Sequence, residues 1–283
     1  MHKPHISFSE LSVWKSCSFK HKLQYIDKID LSTSSPHLFY GTILHEALEE
    51  YVKTKKMNID EANEKIKIAW EREGFDSEKY IFEQAEYRKN QGWKPKSHDH
   101  LDSWLKWTEN ILNEVPKFLD DTFGDWELLS AEEPLYEPID GVDDVKFKGF
   151  IDLLIKAKDK RGKDIVWLLD WKTAGSGGWN MWKKRDPMTP AQITLYKKFW
   201  RTKFDIDIKD VKCGYLLLKK GAKPGKCCEL YPISVGPKTE EKAFAMVKNM
   251  IRAVKAKMYM KNREGCKFCD YKGTTYCPSP GML

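Results

Sequence analysis

The chain has 283 residues, with 49 Lys and Arg against 42 Asp and Glu for a net charge of +7. That length supports a substantial core, in one large domain or two small ones, and the mild basicity suits a polyanionic partner, although lysine-rich surfaces are common without one. No apolar stretch is long enough to cross a bilayer, and Met1-His2-Lys3-Pro4-His5 lacks the apolar centre of a secretory signal, so the expectation is a cytoplasmic protein with no membrane partner.

The first part of the chain reads as helical. Residues 8–28 carry Leu11, Trp14, Cys17, Phe19, Leu23, Tyr25 and Ile26 at rough helical spacing, residues 42–55 form a clearer amphipathic helix, and 60–72 and 100–118 predict two more. Residues 74–96 are polar and show no clear period. From Trp126 the texture changes to strands, at 126–132, Leu135-Tyr136, 147–155 and 165–173. The polar segment 158–164, with Gly162, joins the last two as a hairpin. Gly175-Ser176-Gly177-Gly178 then leads to a helix over 189–202 and a strand over 212–218. A turn at Pro224-Gly225 precedes a strand over 228–235, a long helix over 239–260 and a cysteine-bearing tail. Helices followed by a mixed sheet with crossing helices predict an α/β class. The expected organisation is one domain with a mainly helical part over 1–125, an α/β core over 126–260 and a tail over 261–283.

The chemistry concentrates in Leu168-Leu169-Asp170-Trp171-Lys172-Thr173. Residues i and i+2 of a strand share a face, so Asp170 and Lys172 project side by side. A carboxylate can hold a hard cation, and the ammonium can steady a nucleophile or a developing negative charge. A lone Asp-x-Lys more often just ends a strand at the water boundary. The upstream strand supplies a second acid in Gly149-Phe150-Ile151-Asp152. If the hairpin is symmetric about Arg161, Asp152 lies opposite Asp170, with Cβ atoms roughly 4.5–5.5 Å apart, where like charges call for a cation between them. A one-residue slip would put the two acids on opposite faces.

Other candidates are weaker alone. His45 shares a helix face with Leu48, Glu49 and Val52; a histidine so placed is usually a packed core residue, but its imidazole is also a good metal ligand. Gln192 and Tyr196 share a face by their spacing, and could touch a nucleotide or brace the sheet. Trp179, Trp182, Lys183, Lys184 and Arg185 interleave aromatic and basic residues, which fits a single-stranded nucleic-acid groove about as well as a solvated loop. No Gly-x-x-x-x-Gly-Lys-[Ser/Thr] phosphate loop occurs. Seven cysteines are an odd set, better read as metal ligands plus spare thiols than as disulfides. Cys266-Lys267-Phe268-Cys269 and Cys277 give three ligands in one short segment, suited to zinc or an iron–sulfur cluster. Cys17 is the attractive fourth, because it would staple the two ends of the chain; Cys213, Cys227 and Cys228 are alternatives near a buried strand and a turn.

Cys17, His45, Gly149 to Asp152, Asp170 to Lys172, Gln192 to Tyr196, and Cys266, Cys269 and Cys277 stand in the order of one known family. With them the chain resembles the PD-(D/E)xK nuclease superfamily, specifically its RecB-like iron–sulfur branch, which holds AddB-type nuclease domains and CRISPR-associated exonucleases. The resemblance implies a restriction-endonuclease-like mixed central sheet flanked by helices. It implies a Mg²⁺- or Mn²⁺-dependent deoxyribonuclease, an exonuclease rather than an endonuclease, with DNA as substrate and recombination or replication proteins as partners. His45, Asp152, Asp170 and the Trp171 carbonyl would hold the divalent ion, Lys172 would orient a water or stabilise charge, and Gln192 and Tyr196 would position the strand. Cys17, Cys266, Cys269 and Cys277 would hold a structural [4Fe–4S] cluster, with zinc as the alternative. Ser18 stands where many relatives have proline, the Cys269-to-Cys277 spacing is long for the family, and Asp170 replaces the commoner glutamate. A non-catalytic nucleic-acid-binding protein on the same scaffold is the competing reading.

Overall fold

The computed structural model describes residues 4–31, 35–75, 77, 80–81, 85–86, 89 and 100–278, with backbone alone at 267 and 268. The patternless stretch at 74–96 lies largely outside the described residues. A six-stranded mixed sheet is built from β1 (His5–Ser7), β2 (Glu127–Ile139), β3 (Val142–Lys158), β4 (Asp164–Ala174), β5 (Val211–Lys219) and β6 (Cys228–Ile233). The order is β1-β3-β4-β5-β6, with β2 running antiparallel along the other side of β3. The β1–β3 and β4–β5 pairs are parallel, and the remaining pairs are antiparallel. The β4-to-β5 crossover carries α6 (Met181–Arg185) and α7 (Met188–Lys203), because parallel neighbours need a long connection.

Two apolar layers sandwich the sheet. On one face α3 (Pro36–Thr54), α4 (Ile59–Glu73) and α5 (Leu101–Phe123) bury Leu44, Leu48, Ile66 and Ile111 against Leu153, Leu169 and Trp171. On the other face α1 (Phe8–Ser16), α7 and α8 (Pro237–Lys255) bury Leu11, Ile193, Phe199 and Val247 against Phe147, Leu154 and Leu168. Strands covered on both faces read as continuous apolar runs, which is the texture of 153–155 and 165–169.

Several boundaries differ from expectation for identifiable reasons. The helix expected over 42–55 starts at Pro36, whose ring presets the first turn. Gly41 thus lies inside it, at a cost of about 1 kcal/mol. The fully buried Tyr40 and Leu44 beside it offset that, at roughly 1.5–3 kcal/mol per large apolar side chain. The helix expected over 100–118 continues through Pro116 to Phe123, because Val115, Leu119 and Phe123 keep one buried face. The last long helix stops at Lys255, followed by Lys257 in a left-handed conformation. The helix expected over 8–28 is interrupted at Cys17, which is extended (φ −161°) and caps the short α2 (Ser18–His21) with its sulfur. A π-helical turn, Lys22–Ile26, follows.

Candidate active site

The β3–β4 hairpin has the symmetric register: Leu153 pairs with Leu169 and Lys158 with Asp164. The next step of that ladder sets Asp152 against Asp170. β4 does not end at the acid. It runs on to Ala174, because the parallel pairing with β5 continues from Val166 to Ala174. Asp170 is therefore not at the water boundary but 1% exposed. Its Oδ1 accepts from Gln192 Nε2 at 3.0 Å, and Lys172 Nζ lies 2.6 Å from its Oδ2. Oδ2 is thus buried and paired with the ammonium.

Gln192 Nε2 also reaches Tyr196 Oη at 3.4 Å, so the α7 pair acts on Asp170 through one amide. Tyr196 is buried against β3 where Gly149 leaves room. A Cβ at residue 149 would stand 2.8 Å from Tyr196 Cε1. The glycine of Gly-x-x-Asp is thus a steric requirement of the tyrosine.

On the other side of the hairpin, β2 and β3 turn over together. Ile151 faces the α7 layer and Leu153, two residues on, faces the α3 layer. Ala131 and Leu135 make the same switch on β2. Glu132, between them, has a left-handed φ of 54°, which is uncommon for a non-glycine residue and concentrates at functional sites. At this reversal Glu132 and Asp152 lean toward α3, where His45 sits. The Nδ1 of His45 is 3.3 Å from Asp152 Oδ2, which also accepts the Trp171 N–H at 2.8 Å. His45 in turn hydrogen-bonds to the Trp171 backbone. Among the described residues, His45, Glu132 and Asp152 are the one group of three or more His, Cys, Asp or Glu with ligand atoms within 4.8 Å of one another.

Electrostatics follow from packing acids together in a largely buried site. Burial pushes the Asp152 carboxyl well up, and the Asp170 charge adds to it, against smaller opposing effects of Lys172 and the Trp171 N–H. Glu132 is raised by burial, then by Glu49 and Asp170. Burial holds the His45 imidazole below its ordinary value although Asp170 pulls it up, so the ring is neutral and able to bind a metal at neutral pH. For Lys172 burial works against the charge, but Asp170 and Asp152 outweigh it and the ammonium is held more firmly than usual. Perturbed groups converging in this way mark functional sites.

The comparisons with known proteins bear on this arrangement. The model of the PD-(D/E)XK nuclease superfamily matches residues 5–278. The chain belongs to the PD-(D/E)XK nuclease superfamily. Its sheet and flanking helices form the restriction-endonuclease-like fold. A solved structure from Eubacterium rectale, named "Putative exonuclease", aligns with TM-score 0.52 and 10% identity over 95% of this chain and 88% of that one. At that identity the likeness is one of fold. A second solved structure, SSO0001, aligns with TM-score 0.33 and 15% identity over 83% of this chain and 94% of that one. No curated protein sequence matches the chain.

Within this nuclease fold the sequence-read residues fall into two groups. His45 and Asp152 meet on the α3 side; Asp170, Lys172, Gln192 and Tyr196 meet on the α7 side; the Trp171 backbone bridges them. Glu132 was not singled out from sequence. The far end of the chain forms a separate site, where Cys17, Cys266, Cys269 and Cys277 line one small cavity. Cys17 Sγ accepts the backbone N–H groups of Lys20 and Asn262, each at 3.4 Å, and faces the Met260 carbonyl at 3.8 Å. Cys213 and Cys227 are instead buried elsewhere, and burial raises their thiols to about 12 and about 11. No transmembrane-length apolar helix occurs among the described residues.

Proposed function

We propose that the chain is a divalent-cation-dependent DNA exonuclease with a structural [4Fe–4S] cluster at its cysteine site. The observation that carries the hydrolytic part is the meeting of His45, Glu132 and Asp152 beside the buried Asp170–Lys172 pair. His45, Glu132, Asp152 and Asp170, with the Trp171 carbonyl, would hold the cation. Carboxylates suit Mg²⁺, and the imidazole favours Mn²⁺. A cation there supplies charge neutralisation at the phosphate and a more acidic water.

The chain's own groups do the rest. The Asp152 and Glu132 carboxyls give up the protons that burial lets them keep. The Lys172 ammonium, fixed by Asp170, offsets negative charge developing on the scissile phosphate. Gln192 holds Asp170 in one rotamer, and Tyr196 holds Gln192. Exonuclease rather than endonuclease action is supported by the family resemblance and by the name of the Eubacterium rectale neighbour.

At the cysteine site the four cysteines line one cavity. Four cysteines suit either a [4Fe–4S] cluster or tetrahedral zinc by ligand type, and the family resemblance favours the cluster. The tail also grips the first helices directly, through Asn262 Nδ2 to the Ser16 carbonyl at 2.8 Å and the Met260 N–H to Ser18 Oγ at 2.7 Å. The cluster would be a clamp, not a participant in hydrolysis.

Labelled DNA incubated with Mn²⁺ and either wild type or Lys172→Ala tests the enzymatic reading. Degradation by wild type alone supports it. Equal degradation by both, or none by either, overturns it and favours a non-catalytic DNA-binding role.

A further inference from the structure

A second cleft, of about 420 Å³, lies between α7, the start of β5 and the segment that joins β6 to α8. Trp167 and Lys212, paired on β4 and β5, stand on its wall, three positions before the Asp170–Tyr215 pair, which is roughly 10 Å back along the strands. Three lysines line the cleft, Lys197, Lys209 and Lys212, and no carboxylate does. Lys197 is the unusual one. A lysine on a helix ordinarily carries its ammonium out to water, but Lys197 is 3% exposed, and its ammonium has no hydrogen bond or ion pair among the described residues. The groups that would draw its charge are already committed. Burial holds the Cys213 thiol in its protonated form, and Glu240 is taken by Arg201, whose Nε donates to Oε1 at 2.8 Å. A buried charge without a partner is costly, and burial pulls the Lys197 ammonium below its ordinary value against the smaller effects of Cys213 and Glu240. The 19-residue α8 begins at the rim of the cleft, where Gly236 is its N-cap and brings no side chain to the first turn. The positive end of that helix dipole is therefore left without a capping group.

We propose that this cleft binds the phosphate group of a small phosphorylated molecule, with Lys197 as the buried charge, Lys209 and Lys212 beside it, and the start of α8 completing the cradle. A phosphate supplies what each part lacks, a counter-charge for Lys197 and an acceptor at the head of the helix. The Ser234 hydroxyl, also on the lining, adds a neutral donor. Three positive charges, a helix N-terminus and no acid select an anion over a cation or a neutral sugar. The volume falls within the roughly 300–1,000 Å³ range of small-molecule sites, so the cleft takes inorganic phosphate or a nucleoside monophosphate whole. The inference stands without the nuclease reading.

The test titrates the full-length protein by calorimetry with inorganic phosphate and with thymidine 5′-monophosphate, without added divalent cation. One-to-one binding with a sub-millimolar Kd is expected. Lys197→Met should weaken it by about tenfold to a hundredfold, the loss expected for one charge-assisted hydrogen bond, and Lys212→Gln by about twofold to fivefold. Lys197→Met removes an unpaired buried charge, so its ligand-free Tm should not fall. Ligand at tenfold Kd should raise the wild-type Tm by about 2–5 °C and leave that of Lys197→Met unmoved. Lys106→Gln, on the exposed side of α5, should bind like wild type. Tighter binding of the monophosphate identifies a nucleotide as the source of the phosphate; equal binding identifies inorganic phosphate. Absence of saturable binding by both, or a folded Lys197→Met that binds like wild type, overturns the site. Should Lys197→Met not fold, the double variant Lys209→Gln/Lys212→Gln decides in the same way. Loss of binding in Lys172→Ala places the phosphate at the acids and overturns the site as well. An oligothymidylate that displaces the ligand more strongly per phosphate than the monophosphate does makes the cleft a nucleic-acid contact and overturns the small-ligand assignment.

Discussion

Replacing Gly149 with alanine should injure the site without touching any charged group. The added Cβ would stand 2.8 Å from Tyr196 Cε1 and 3.2 Å from Cζ, closer than such contacts allow. The ring cannot retreat freely, since it packs against Phe147 with centroids 6.1 Å apart and is buried. Overpacking of this kind costs about 1–3 kcal/mol. The reduced freedom of the unfolded chain returns about 0.4–1 kcal/mol, leaving a net loss of about 1–2 kcal/mol. Thermal unfolding should show Tm lowered by roughly 2–8 °C. DNA cleavage should fall about tenfold to a hundredfold as Tyr196, Gln192 and then Asp170 shift. A double-mutant cycle isolates the cause: in a Tyr196→Ala background, Gly149→Ala should be neutral or slightly stabilising, a coupling of about 1–3 kcal/mol. An equal penalty in both backgrounds, or no penalty in wild type, refutes the steric account.

Other outcomes follow from the site's charges and from the cysteines. Because Glu132 and Asp152 keep protons above the usual carboxylate range, Mn²⁺ must displace them; activity should rise with pH, and more Mn²⁺ should move that rise to lower pH. A rise indifferent to Mn²⁺ argues against metal–proton competition. The same raised Asp152 pKa stabilises the metal-free fold at pH below the unfolded value and loses that contribution as pH climbs through the folded one. Metal-free Asp152→Asn should therefore unfold at a higher temperature than wild type near neutral pH. Cys17→Ser should lower Tm as much as Cys269→Ser, and both should bleach the brown colour of anaerobically purified protein. A colourless wild type with stoichiometric zinc contradicts the cluster, and a harmless Cys17→Ser contradicts the clamp.

Much of this was legible in the sequence because it was local. The hairpin register followed from a short polar turn with equal apolar runs on both sides, so Asp152 and Asp170 could be paired. Helix spacing put Gln192 and Tyr196 on one face. Glu132 was hidden by irregular pairing. A register set by the Asp140-Gly141 turn would put Leu129 opposite Asp152. Three extra residues of β3, between the Pro138–Lys146 and Ile139–Val142 pairs, slide Glu132 into that place. Bulges of this kind leave little trace in hydrophobic pattern; the only signal was the adjacent pair of acids, Glu132-Glu133, in a strand that also carries Glu127 and Glu137. β1 was too short to show a period. The break at Cys17 was equally hidden, since α1 and α2 share a helical composition and only contacts with the distant tail distinguish them.

Asp170 is where the two halves of the site meet, so the most direct test is the rate of DNA hydrolysis by Asp170→Asn at saturating Mn²⁺. The side chain keeps its shape and its contact with Gln192 but loses the charge that holds the cation and Lys172. The account predicts a loss of about a hundredfold to a thousandfold, the size expected when a preorganised charge is removed, with the fold intact by circular dichroism. A folded Asp170→Asn protein that cleaves DNA within a few-fold of wild type would contradict it.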